Sequence, residues 1–148
     1  MKFSKLPKPQ RDALNVYVKL MRATNIATNR IHRHLAQDNL TLSQFAVLEA
    51  LYHLGSLSQG QLGEKILKSD ANLTTVVDTL EKKGLVIRER SETDRRKVYV
   101  HLTDSGETLI TKVFPRHAKV VSEELGFLSV KEKTLLTELL KRFQLNKE

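Results

Sequence analysis

Between residues 88 and 97 the chain carries five basic side chains (Arg88, Arg90, Arg95, Arg96, Lys97) and three acidic ones (Glu89, Glu92, Asp94). Packing does not call for such a run. A guanidinium group presents a rigid fork of donors that matches phosphate oxygens, and a narrow minor groove attracts it further. Just upstream, Ser69, Ala71, Asn72, Thr74 and Thr75 form a second set, all of them small. Short side chains let a backbone approach base edges. Asn can pair with adenine, Thr can hydrogen-bond or touch a thymine methyl, and Ala can do only the latter. The two sets together suit the reading of duplex DNA: base edges for the small residues, phosphates for the basic ones. For any single one of the small residues, a solvated helix face is an equally good account; for the basic ones the alternative is a surface ion pair worth about 1 kcal/mol or less.

Other chemistries find less support. Six glycines are scattered as caps and turns, so no glycine-rich phosphate loop is present. No Ser-His-acid or Cys-His motif can be recognised, and no catalytic residue or cofactor is expected. The chain has no cysteine, which excludes a disulfide framework, a cysteine zinc site and thiol oxidation as a sensing device. Five histidines are present, none in an i, i+4 pair; His32 and His34 should point away from each other on a helix, so no metal site is expected.

The elements that must position the two sets are written into residues 69–102. Ser69 can cap a helix, Leu73, Val76, Val77 and Leu80 make its apolar stripe, and Gly84 ends it. Lys82 and Lys83 suit its negative end. The outer face then holds Ala71, Thr74, Thr75 and Asp78, flanked by Asp70, Asn72 and Thr79. Asp78 would repel phosphate and is expected to face a protein donor. After Gly84 the period becomes two: 85–90 and 98–102 read as paired strands, with 91–96 as the tip.

Asp94-Arg95-Arg96, followed by Leu102-Thr103 and Gly106, resembles the D-x-R…L-T-x-x-G signature of the MarR family of winged helix-turn-helix regulators. Leu40-Thr41 with Gln44-Phe45 resembles that family's upstream helix start, and Val77-Asp78 with residues 80–86 resembles the end of its recognition helix. The resemblance runs from about residue 10 to 145. It implies a mainly α fold: a winged helix-turn-helix lobe over 40–102 with a β-hairpin wing, and dimerisation helices at 10–38 and 103–145, in one domain of 148 residues. It assigns Arg96 to DNA and Asp94 to holding it, an arrangement in which a nearby carboxylate orients a guanidinium without burying it. Thr79 departs from the pattern, because a basic residue is frequent there.

The rest of the chain fits that frame. The net charge is +8, and residues 1–40 hold eight basic groups against two acidic, so the excess lies mainly in the first helix. Residues 10–38 contain no helix breaker; such a helix spans roughly 40 Å and has apolar surface to spare for a second copy of the chain. Capping boxes are expected at Thr41/Gln44, Ser58/Gln61 and Ser129/Glu132, and a cap at Thr103. Pro115 lies inside the helix that follows Thr103. Leu135, Leu136, Leu139, Leu140 and Phe143 stripe the last helix. No signal peptide or membrane span is evident, and a cytoplasmic location is expected.

The expected function is a homodimeric, sequence-specific regulator of double-stranded DNA acting on a near-palindromic operator, usually as a repressor. The family's habit of binding small aromatic or phenolic compounds extends this to a ligand layer: Tyr17, Met21, Phe45, Tyr52, Val113, Phe114 and His117 are the candidate lining, with core packing as the alternative for each. Segments 45–48 and 51–53 and the pair Phe114-Pro115 resemble a subgroup responding to quinones and catechols. A sequence-tolerant DNA-binding protein and a protein-docking winged helix are the other readings. The former would show a steep salt dependence with little sequence preference.

Overall fold

The computed structural model describes residues 3–66 and 72–146. Its order is α1 (Lys8–Ile31), a 3-10 segment (His32–Asp38), α2 (Leu42–Leu54), β1 (Leu57–Ser58), α3 (Gln59–Lys65), α4 (Leu73–Lys82), β2 (Val86–Arg90), β3 (Val98–Leu102), α5 (Asp104–Glu124) and α6 (Val130–Leu145). The chain divides into two units, one of residues 1–31 and 118–148, the other of 32–117.

The 32–117 unit is a winged helix-turn-helix. Its helices start where local chemistry dictates. Thr41 and Gln44 cap α2 reciprocally, the Thr41 hydroxyl accepting from the Gln44 amide at 3.2 Å and the Gln44 side chain accepting from the Thr41 amide at 3.1 Å. Ser58 and Gln61 do the same for α3. Each box satisfies amides that a helix start leaves without intrahelical partners. Gly55 and Gly84 take positive φ (79° and 74°) at the ends of α2 and α4, where a side chain would be strained.

One apolar core holds the unit together. Phe45, Val47, Leu48 and Leu51 of α2 meet Leu62 of α3, Val76, Val77 and Leu80 of α4, Val86 and Val100 of the hairpin, and Ile110 and Val113 of α5. The sheet is antiparallel in the order β1-β3-β2, with Val86 opposite Leu102, Arg88 opposite Val100 and Arg90 opposite Val98. β1 is an addition to the sequence expectation: Leu57 and Ser58 pair with Val100 and Tyr99. His101 fastens this corner, its Nδ1 lying 2.6 Å from the Ser56 hydroxyl and its Nε2 3.1 Å from Glu89.

The Leu102-Thr103…Gly106 segment acquires a physical meaning. The Thr103 hydroxyl donates to the Gly84 carbonyl at 2.6 Å and accepts from the Gly106 amide at 3.0 Å, so one side chain ends the turn after α4 and starts α5. A Cβ on Gly106 would stand 2.0 Å from the Leu85 carbonyl oxygen, closer than any atom tolerates. Only glycine lets α5 begin there.

Three expectations are corrected. The first helix does not run to Asp38: α-helical winding ends at Ile31 and a 3-10 segment takes over. Consequently His32 and His34 do not point apart, since residues two apart are separated by about 120° in a 3-10 turn rather than about 160° in an α-helix. Both rings reach His117, at centroid distances of 5.7 and 5.4 Å. The recognition helix starts at Leu73 with Asn72 as its cap, three residues later than a Ser69 cap implies. Ser69 and Ala71 lie outside the described residues.

The other unit comprises α1, the end of α5, and α6. Ser129 and Glu132 form the third capping box. Neither α1 nor α6 buries a single residue. On α6, Leu135, Leu136, Leu139, Leu140 and Phe143 are all exposed, as are Val16, Tyr17, Met21 and Ile26 on α1. Among the described residues no helix is long and apolar enough to cross a membrane.

Candidate nucleic-acid interface

The apolar stripe of α4 fixes which side faces out. Val76, Val77 and Leu80 are buried and Leu73 half-buried, leaving Asn72, Thr74 and Thr75 on the surface. Asn72 is partly committed: its Oδ1 accepts from the Thr74 amide at 2.9 Å as the helix cap. The Thr79 hydroxyl turns back to the Thr75 carbonyl at 3.0 Å. Thr75 itself is exposed, on the face formed by the first turns of the helix.

Asp78 does find a protein donor, as its charge required. Arg88 on β2 ion-pairs with it through Nη2, and the same Nη2 donates to the Thr74 carbonyl at 3.1 Å. The Arg88 backbone amide donates to Glu81 at 2.9 Å. With its side chain 24% exposed and its Nε buried without a partner among the described residues, Arg88 is directed into the protein. Sequence reasoning placed it among the DNA contacts. In this structure it braces α4 against the wing through Asp78 and the Thr74 carbonyl.

The wing tip is tied together without an apolar anchor. The Ser91 amide donates to the Lys97 carbonyl at 2.9 Å, and the Lys97 amide to the Asp94 carbonyl at 3.0 Å. The Ser91 hydroxyl accepts from the Thr93 and Asp94 amides. Arg90 reaches across to the Arg95 carbonyl at 3.3 Å. Asp94 Oδ1 accepts both the Arg96 amide at 3.1 Å and its Nε at 3.3 Å. The Arg96 side chain is nevertheless 91% exposed, so it is aimed and not buried. Arg95 and Lys97 are exposed beside it.

The structure thus brings Asn72, Thr74 and Thr75 onto one face of α4, and Arg90, Asp94, Arg95, Arg96 and Lys97 onto the wing. It also adds one residue that sequence reasoning missed. Gln59, the first residue of α3, donates from Nε2 to the Thr74 hydroxyl at 3.0 Å. Nothing in the local pattern signals this bond, which joins residues 15 positions apart.

The candidate ligand residues separate. Phe45 and Val113 are 1% and 0% exposed and belong to the core of the 32–117 unit. Tyr52, Phe114 and His117 form an aromatic row on its flank: Tyr52 to Phe114 at 5.9 Å, Phe114 to His117 at 6.4 Å, and His117 to Phe45 at 4.6 Å between centroids. Tyr17 and Met21 are in the other unit, exposed on α1. His117 lies 3.1 Å from His34, which in turn accepts at Nδ1 from Arg116 Nε at 3.0 Å, while Arg116 ion-pairs with Asp38. Burial, reinforced by the neighbouring His34 and His32, pulls the His117 pKa down to about 4. Burial and the Arg116 charge lower that of His34 as well. The hydrogen bond from Arg116 holds the Asp38 carboxyl below its usual range.

Comparison with known proteins meets this geometry. Residues 40–98 match the MarR family profile, a span that runs from the cap of α2 to the start of β3. The HTH-type transcriptional regulator MhqR of Bacillus subtilis strain 168 is 40% identical over 134 residues, which cover 90% of this chain and 92% of that protein. Bordetella bronchiseptica BpsR, solved in a study of how 6-hydroxynicotinic acid regulates its DNA binding, superposes with a TM-score of 0.78 at 26% identity, over 87% of this chain and 92% of its own. Overoxidized AbfR bound to DNA superposes with a TM-score of 0.72 at 25% identity, over 95% and 98%. The relatives are regulators of transcription and not enzymes, and the solved structures share the winged-helix fold: the chain belongs to the MarR family.

Proposed function

We propose that the protein is a homodimeric, sequence-specific transcriptional repressor. The observation that carries this is the pairing of an exposed α4 face, Thr74 and Thr75, with an Arg96 fork that Asp94 holds out into solvent. In this reading α4 enters the major groove and the wing lies over the flanking minor groove, where arginine is favoured. The DNA-bound state of AbfR supports the same use of the fold. The lobe at 40–102 then serves DNA, and the helices at 10–38 and 103–145 serve dimerisation. The exposed apolar rows of α1 and α6 support that second role, since leucines this numerous are seldom left in water. A two-fold dimer implies an operator with half-sites about 10 bp apart, or a multiple of that. Selection from a random duplex library at about 0.15 M salt tests the reading: a near-palindromic motif is expected, and a flat result rejects it in favour of phosphate-only binding.

Release of the operator by a small aromatic or phenolic compound is the second layer. The row Tyr52, Phe114 and His117 supports it, as does BpsR, whose DNA binding 6-hydroxynicotinic acid regulates. The resemblance to quinone- and catechol-responsive regulators sets the compounds to try first. Without cysteine, their action here is non-covalent or indirect. Phenolic compounds that change neither the melting temperature nor the operator affinity would rule this layer out.

A further inference from the structure

We propose that Gln59, on α3 and outside the recognition helix, reads an adenine in each half-site, with Thr74 as its positioning residue. The inference rests on the DNA-reading function proposed above and deepens it. A glutamine side chain has two amide hydrogens and one carbonyl oxygen. In Gln59 one hydrogen is engaged by the Thr74 hydroxyl at 3.0 Å. Gln59 is half-buried and makes no other side-chain hydrogen bond among the described residues, so its second hydrogen and Oε1 are left as the donor–acceptor couple that adenine complements at N7 and N6 in the major groove.

Orientation is what makes such a couple discriminate. A free glutamine on a helix start samples many rotamers and would lose freedom on binding. Thr74 removes much of that freedom because Thr74 is itself held at three points. Its amide donates to Asn72 Oδ1 at 2.9 Å, its carbonyl accepts from Arg88 Nη2 at 3.1 Å, and its hydroxyl accepts from Gln59. Arg88 is locked in turn by Asp78. The carboxamide of Gln59 is thus referenced to α4 and to the wing together.

The test is sequence selection from a random duplex library with wild-type protein and four variants, backed by equilibrium titration on the selected operator. In Gln59→Ala the preference for adenine should fall by about tenfold at one position in each half-site while other positions hold. Thr74→Val keeps the shape but removes the acceptor; it should blur the same position, and should add no further loss of preference in the Gln59→Ala background. Gln59→Glu should move the preference toward cytosine, whose N4 donates to a carboxylate. If the wild type selects a motif and Gln59→Ala selects the same motif, Gln59 does not read a base and the inference fails alone. Uniform weakening on all duplexes with an unchanged motif also overturns it, leaving Gln59 as a brace between α3 and α4. A wild type that selects nothing overturns both the inference and the function it rests on.

Discussion

His34 donates from Nε2 to Nδ1 of His117 across 3.1 Å, and a third residue fixes the direction of that bond. Arg116 can only donate, and its Nε points at His34 Nδ1 from 3.0 Å. His34 Nδ1 must then be a lone pair, its hydrogen must sit on Nε2, and His117 Nδ1 must accept. Protonating either ring puts two hydrogens between one pair of nitrogens. Both histidines are therefore neutral in the folded protein, in agreement with their lowered pKa values. In the unfolded chain His117 titrates near 6.5. The stability its neutral form supplies is complete above that pH and is lost as the pH falls from about 6.5 to about 4. The melting temperature should drop by several degrees across this window. His117→Asn, which keeps an acceptor near Nδ1 but cannot titrate, should flatten the drop. Equal slopes in the two proteins would refute the arrangement.

Arg88 and Arg96 sit on the same wing and should separate cleanly by experiment. Arg88→Ala removes the partner of Asp78 and the donor to Thr74, so it should lower folding stability by roughly 1.5–3 kcal/mol in urea denaturation. Weakened DNA binding should follow as a consequence of a loosened α4.

Arg96→Ala should do the reverse. Its ion pair with Asp94 leaves the guanidinium almost wholly in solvent and adds little to folding, so the unfolding midpoint should stay put. Operator affinity should fall by roughly 1–3 kcal/mol, with the salt slope shallower by about 1 if Arg96 contacts phosphate. Thr75→Ala should instead relax sequence preference more than it lowers overall affinity. Matching effects of the two substitutions on every duplex would undo the division of roles.

Gly106→Ala should be among the most damaging single-methyl additions in the chain. The added carbon meets a backbone carbonyl at 2.0 Å, which no side-chain rotation can relieve. About 1–3 kcal/mol of stability should be lost, typical of overpacking at a site that must shift. Calorimetry that finds the variant as stable as its parent would show that α5 can slide away from Leu85.

Leu136→Glu with Leu139→Glu places two charges in the exposed apolar row of α6. Sedimentation should show a dimer for the parent and a monomer for the variant at micromolar concentration, a shift of at least about 100-fold in dissociation constant. Circular dichroism of the two should match, because neither leucine is part of the core. A parent that is already monomeric would remove the dimer from the proposal.

Local chemistry is what made so much of this fold legible. The boxes at Thr41/Gln44, Ser58/Gln61 and Ser129/Glu132 each lie within four residues, so their spacing alone declares them. Alternation announced β2 and β3, and the Asp94–Arg96 contact spans two residues. What escaped depends on partners far along the chain. β1 exists because Leu57 and Ser58 happen to lie beside β3. Arg88 and its partner Asp78 are 10 positions apart, on different elements. His34 and His117 are 83 positions apart. The start of α4 was misplaced for a different reason: Ser69 and Asn72 are both competent caps, and propensity alone does not choose between them.

The wing tip is organised before it meets anything. Ser91, Asp94 and Lys97 already share a closed set of hydrogen bonds, and Arg96 already points outward. A loop that folds only on contact surrenders conformational entropy at that moment and binds more weakly for it. The backbone of this loop has less left to surrender. Its contacts with a duplex would form between two prepared surfaces, so complexes on right and wrong sequences should be distinguished chiefly by how long they last and much less by how quickly they form.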